Sequence, residues 1–307
     1  MKRKSYGKKV ISVLLVMSCL MSLAACSSPE PEKSGKTSEE SEKTSKAVIR
    51  DMKDVEDVGS YSKAISYEEI TEKFGNIPKP EGSVHLGFAA KAFENEYWST
   101  LKEGVEAEVK DLADAGLDVE IDIRAAQGEA DEQGQVALMN DMVNKKYDAI
   151  LASPISDGNL VQSVEKAHEL GIPVVCAVGG FTPSMDIYVG PQNYNGGEKA
   201  AEWIADQLGE AGGEVAVIMG MPKEEGARAR TAGIEDWFKA NAPQITYVGA
   251  QNADWDRGRA REVMETLIKK YPDLKAVYAN NDTMAMGALE AIKAAEVIGW
   301  EDLTFTE

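Results

Sequence analysis

The sequence predicts an α/β fold of parallel sheets flanked by helices, and three observations predict it. From Ser83 onward, apolar runs of strand length recur at short intervals. Between most of them, apolar residues follow the 3.6-residue period of a helix. Helix-ending signals stand where the pattern needs them, as at Gly171 followed by Pro173. Strands that alternate with helices build βαβ units, whose sheets are covered on both faces.

The chain opens on a basic stretch, Lys2, Arg3, Lys4, Lys8 and Lys9, followed by an apolar run from Val10 to Ala25. That run is short of the roughly 20 apolar residues a spanning helix needs. A basic region ahead of a short apolar one is an export signal. It ends in Leu23-Ala24-Ala25-Cys26, small residues before a Cys, as a lipoprotein signal peptidase requires. Residues 1–25 are therefore expected to be a lipoprotein signal peptide and Cys26 the lipidated residue; an ordinary signal peptide with a chance Cys is the alternative. Two acyl chains suffice for stable anchoring, where one is marginal. Residues 27–46 hold no large apolar side chain, so they cannot offset the entropy of ordering. The stretch 26–80 reads as a tether, with one short helix expected near residues 67–74.

The expected strands are Val84–Ala90, Val119–Ile123, Ala149–Ala152, Val174–Val178, Ile187–Val189, Val215–Met219, Thr246–Val248 and Ala276–Ala279. Trp98, Leu101, Val105, Val109 and Leu112 form one helical stripe; Ala260, Val263, Met264, Leu267 and Ile268 form another. The strand at residues 187–189 has no helix before it and runs into Gly190-Pro191-Gln192-Asn193, a turn-rich break. It reads as a crossing between an N-terminal lobe, 81–190, and a C-terminal lobe, 191–307, although an ordinary loop within one sheet would also accommodate it.

Composition narrows the function classes. Removing the signal takes away five basic residues and no acidic one, leaving 28 basic against 52 acidic residues, a net charge of −24. Such a chain repels phosphate backbones, so no nucleic-acid partner is expected. Cys176, inside an apolar run, reads as a small core residue. No cluster of Cys, His and carboxylates has metal-ligand spacing, and no cofactor is expected. The chain has no nucleophile elbow, no phosphate loop and no dinucleotide fingerprint, so it does not read as an enzyme.

Six segments stand in one order: Asn95-Glu96-Tyr97-Trp98 after the first strand, Leu170-Gly171-Ile172-Pro173, Gln192-Asn193-Tyr194-Asn195-Gly196-Gly197, Ala227-Arg228-Ala229-Arg230-Thr231-Ala232-Gly233, Ala253-Asp254-Trp255-Asp256-Arg257, and Ala279-Asn280-Asn281-Asp282. Together they resemble the bacterial periplasmic sugar-binding proteins of the ribose- and galactose-binding type, from about Ser83 to the last residue. The resemblance implies two Rossmann-like lobes joined by hinge strands and closing on a ligand between them. It implies a monomer that hands a sugar or sugar-like molecule to the permease subunits of an ABC importer, from a lipid anchor outside the cell membrane. A surface receptor feeding a sensor kinase or chemoreceptor would carry the same fold and site. A cytoplasmic repressor of this fold would need a DNA-binding head and a basic surface, which the lipobox and acidic chain replace.

The implied ligand-binding residues are Lys91, Asn95, Tyr97, Trp98, Arg230, Trp255 and Asn281. Aromatic rings pack on the C–H faces of a sugar, while amides and a guanidinium meet its hydroxyls. Arg228 is expected to point elsewhere, and Asp282 to cap the following helix. Two departures stand out. Where ribose-type members carry an Asp-Arg pair, this chain has Val178-Gly179-Gly180-Phe181. Lys91 replaces a small polar residue, and with Arg230 it would favour an anionic ligand such as a sugar acid. The chain also ends at Leu303-Thr304-Phe305-Thr306-Glu307, which reads as stopping before the last hinge crossing.

Overall fold

The computed structural model describes Glu69, Glu72 and residues 80–295. The expected signal peptide, Cys26, most of the tether and the final strand lie outside the described residues. Of the short helix expected near residues 67–74, Glu69 and Glu72 are described, both helical.

Two parallel sheets form. The first has the order β2-β1-β3-β4-β5, from strands Val84–Ala90 (β1), Val119–Ala125 (β2), Ala149–Ala152 (β3), Val174–Ala177 (β4) and Ile187–Val189 (β5). The second has the order β7-β6-β8, from Gly213–Met219 (β6), Ile245–Asn252 (β7) and Leu274–Ala279 (β8). Helices Glu96–Asp114 (α1), Glu132–Lys145 (α2) and Val161–Glu169 (α3) belong to the first lobe. Asn193–Leu208 (α4), Glu225–Asn241 (α5), Arg257–Lys270 (α6) and Asp282–Ala294 (α7) belong to the second.

Apolar runs become central strands because both faces of a parallel sheet are covered. In β6, Val215, Ala216, Val217 and Ile218 are all fully buried, and in β1 so are Phe88, Ala89 and Ala90. Full burial of a side chain the size of Phe88 contributes about 1.5–3 kcal/mol. Met139, Met142, Val143, Leu160 and Val164 cover the first sheet. Ala201, Ile204, Ile234 and Phe238 cover one face of the second, and Ala260, Met264, Leu267, Met284 and Ala288 the other. The α6 stripe is buried at Ala260, Met264 and Leu267, whereas in α1 only Trp98 is buried. Cys176 is buried in β4, and burial pushes its thiol up to about 12, which suits an inert core residue.

Two close approaches fix what matters for the site. Helices α4 and α5 meet through glycines: a Cβ at Gly197 would lie 2.2 Å from the Arg230 carbonyl oxygen, and one at Gly233 would lie 2.1 Å from that of Tyr194. Only backbone-to-backbone contact fits there, so α5, which carries Arg230, is locked to its own lobe. The second approach joins the lobes: Ile155, from the loop after β3, is fully buried in the second lobe's core cluster.

The segment 178–181 takes a tighter path than a strand extension. Val178 adopts φ +63°, an outlier for a β-branched residue, and Gly180 N donates to Pro154 O at 2.7 Å. The strand expected through Val178 therefore ends at Ala177. Its continuation folds onto the loop after β3 rather than presenting a polar clamp.

Candidate functional site

Parallel sheets bind ligands beyond the carboxyl ends of their strands, because the connecting loops gather there. Lys91 follows β1, Glu129 follows β2 and Asp157 follows β3. Glu224 follows β6, Trp255 follows β7 and Asn280 follows β8. These loops meet across the interlobe cleft.

Each lobe contributes a matching trio of tryptophan, carboxylate and cation. In the first, Trp98 Nε1 donates to Glu129 Oε1 at 2.7 Å and Lys91 Nζ sits 5.2 Å from the Trp98 ring centroid. In the second, Trp255 Nε1 donates to Glu224 Oε2 at 2.8 Å and the Arg230 guanidinium carbon lies 5.9 Å from the Trp255 ring. An indole tied at its N–H and faced by a cation cannot rotate freely, so both rings are held in place before any ligand arrives. Both Trp255 and Asp254 take left-handed backbone conformations, φ +65° and +51°. Such strain persists only where surrounding contacts enforce it.

The two trios are stitched together. Lys91 Nζ pairs with Glu224 Oε2 at 2.7 Å, with Lys91 1% and Glu224 6% exposed. Arg230 Nε donates to Asn193 Oδ1 at 3.0 Å, and its Nη1 to the Asn280 carbonyl at 2.6 Å. Asn280, 3% exposed, accepts Gly220 N at 3.0 Å through Oδ1. Tyr97 stacks edge-on to Trp98, with centroids 5.0 Å apart, and is 48% exposed. Burial is the main cause raising its hydroxyl pKa; Arg230 and Glu224 of the other lobe are close enough to act on it too.

Glu129 also accepts Asn95 Nδ2 at 2.9 Å. Its carboxyl pKa is raised above 4.5, first by burial, against the lowering pull of Lys91. Above 4.5 the folded state therefore keeps a proton that the unfolded state has released, so this residue's contribution to stability declines as pH rises through that window. Glu129→Gln keeps an acceptor oxygen for both donors and removes the dependence. The wild-type melting temperature minus that of the variant is expected to fall between about pH 4 and about pH 7. Calorimetry at both ends checks this, and a rising difference would reverse the assignment.

Gly220 is required by the Trp255 ring: a Cβ there would stand 2.3 Å from Cζ2 of the indole. Gly220→Ala is expected to displace the ring, break its bond to Glu224 and weaken ligand binding about tenfold or more, from an overpacking cost of about 1–3 kcal/mol. Titration calorimetry against the wild-type ligand measures it; an unchanged affinity would mean the indole is not a wall of the site.

Residues 86–304 match the family described as the periplasmic binding protein domain. The chain is similar to the D-allose-binding periplasmic protein of Escherichia coli (strain K12), 37% identical over 220 residues, 68% of this chain and 68% of that one. It is also similar to the ribose import binding protein RbsB of Bacillus subtilis (strain 168), 33% identical over 211 residues, 68% of this chain and 66% of that one. Among solved structures, an ABC transporter periplasmic solute binding protein from Actinobacillus succinogenes with bound D-allose superposes with a TM-score of 0.61 and 27% identity, over 69% of this chain and 74% of that one. The chain is a type I periplasmic binding protein.

Within that family's two-lobed frame, the structure sorts the sequence-derived site residues. Tyr97, Trp98, Arg230 and Trp255 converge on the cleft. Lys91 does too, but Glu224 pairs with its ammonium, which takes away Lys91's share of the argument for an anionic ligand. Asn95 caps α1, accepting Tyr97 N at 3.0 Å, and its amide nitrogen is engaged by Glu129. Asn281 corrects the expected cap: it accepts Met284 N at 2.9 Å as the N-cap of α7, and Asp282 is the first helical residue. Its neighbour Asn280 is the inward-facing amide. Arg228 does point away from Arg230, toward Asp157 of the first lobe. Sequence reasoning missed Glu129, Glu224, Asn193 and Asn280. Asn193 and Asn280 lay inside segments that had been singled out, but nothing local distinguishes a buried Asn from an exposed one.

Proposed function

We infer that this chain is an extracytoplasmic solute-binding protein, anchored by lipid on Cys26, that closes on a neutral aldose and presents the closed form to an ABC permease. It binds its ligand and catalyses nothing. The observation that carries the reading is the pair of immobilised tryptophans, one per lobe, each with a carboxylate at its N–H edge and a cation over one face. Ring faces suit the C–H surface of a pyranose or furanose, and the charged groups around them offer donors and acceptors for hydroxyls. With Lys91 paired to Glu224 at 2.7 Å, its ammonium is not left over to attract a uronate. Relatives named for D-allose and ribose point to aldoses of that size.

A thermal-shift panel on the mature chain without its lipid tests this, with D-allose, D-ribose, D-arabinose and D-glucuronate. At a concentration 100 times the dissociation constant, a ligand stabilises the native state by about 2.7 kcal/mol. Neutral aldoses are expected to raise the melting temperature saturably and glucuronate is not. A rise with glucuronate alone would overturn the neutral-sugar reading.

A further inference from the structure

We propose that Asp157 is a positioning residue that couples lobe closure to the helix bearing Arg230, by capping that helix from the opposite lobe. The proposal rests on the binding function inferred above. Helices α1, α2, α6 and α7 each have an N-cap side chain that accepts from their own first turn: Asn95, Asp131, Asp256 and Asn281. Helices α3, α4 and α5 do not. The N-cap of α5, Glu224, makes no side-chain cap bond, because its carboxylate is turned to Lys91 and Trp255. The cap comes from the first lobe instead: Glu225 N donates to Asp157 Oδ1 at 3.0 Å. Two more ties run between the same places. Arg228 Nη2 pairs with Asp157 Oδ2, and Asp157 N donates to the Lys223 carbonyl at 3.2 Å. Asp157 Oδ1 also accepts Phe181 N at 2.8 Å, which holds the carboxylate in place from within its own lobe.

A carboxylate at a helix N-terminus satisfies a donor without an intrahelical partner and complements the helix dipole. Here that satisfaction exists only while the lobes are together. Because the Gly197–Gly233 contact locks α5 to α4, a force on the first turn of α5 moves the second lobe as a body and carries Arg230 with it. The cap therefore favours the closed form and sets how long it lasts. The closing surface includes a second bridge, Lys223 to Glu132, on the same rim.

The test uses the mature chain with Cys26→Ser, nitroxide-labelled at Glu165→Cys on α3 and Lys269→Cys on α6, both exposed, with Cys176 shielded by burial. Pulsed electron resonance measures the interlobe distance distribution with and without D-allose for wild type, D157A and R228Q. R228Q cuts the Arg228 arm to Asp157, together with that side chain's bond to the Pro222 carbonyl, and leaves the Phe181 tie and the Glu225 N cap in place, so it guards against D157A merely loosening its own lobe. D157A is expected to shift the open-to-closed ratio about 3- to 30-fold toward open, the range of a lost cap, and R228Q, which keeps the Glu225 N cap, to shift it the same way by less. The sugar dissociation rate should rise by a similar factor, with the association rate and the sugar-free melting temperature of R228Q unchanged. Unchanged closed fractions in both variants would overturn the proposal. A distance shift in a protein that binds no aldose would sink the sugar reading and leave Asp157 as the closure residue. Sugar binding with unmoved distances would do the reverse.

Discussion

Arg230→Met is expected to weaken aldose binding by on the order of 100-fold or more, and to do so with the fold intact. The guanidinium is the group in the second lobe with fixed donors already oriented by the protein. Its Nε is held by Asn193 Oδ1 and its Nη1 by the Asn280 carbonyl, while the ring of Trp255 lies against it. A planar fork fixed in this way meets ligand oxygens without losing further side-chain freedom. Truncating it removes the ligand contact and leaves Asn193 and the Asn280 carbonyl without their donor, and losses of this kind run to about 2–5 kcal/mol. Arg230→Lys should recover little, since an ammonium cannot reach both acceptors and still face the cleft. Titration calorimetry with the wild-type ligand gives the affinity, and calorimetric melting without ligand shows whether the lobe survived. An affinity within a few-fold of wild type would remove Arg230 from the site.

Lys91→Met is the second large effect. It leaves the Glu224 carboxylate buried at 6% exposure, held only by the Trp255 N–H. Removing one partner of a buried ion pair costs about 3–5 kcal/mol, because a charge remains without compensation. In this protein the two partners sit on different lobes, so the molecule has a way out: the cleft opens and water reaches Glu224. The cost is then expected in ligand affinity rather than in melting temperature. The double variant Lys91→Met with Glu224→Gln removes the orphaned charge, and replacing both partners of a buried pair is often near neutral. Recovery of affinity in the double variant would show that the pair acts mainly as an interlobe tie. Failure to recover would show that Lys91 itself holds the ligand, as the sequence resemblance implies.

The fold was legible where the signal is local. Strand positions such as 84–90, 149–152 and 187–189 follow from apolar runs alone, and the structure keeps their limits. The error at Val178 is also local in origin: an apolar residue continuing a strand pattern reads as strand, yet here the backbone turns to φ +63° to pack against the loop after β3. No periodicity reports such a turn, since its cause is a segment some twenty-five residues away. The same limit explains the caps. Asn281 and Asp282 are both good cap residues, and only the hydrogen bond to Met284 N assigns the role.

The sequence by itself determined the fold class and the order of strands and helices, because residue type and spacing carry that information along the chain, whereas Tyr97, Trp98, Arg230 and Trp255 were pointed to by the family resemblance of the segments that hold them. Only the tertiary structure decided which charges meet. Glu224 with Lys91, Asp157 with Arg228 and Glu129 with Trp98 join residues from separate elements. In a chain with 52 acidic residues, nothing in the neighbourhood of a particular Glu or Asp marks it for burial. A charge becomes functional when folding removes its water and supplies a partner, and both depend on how two lobes come together in space.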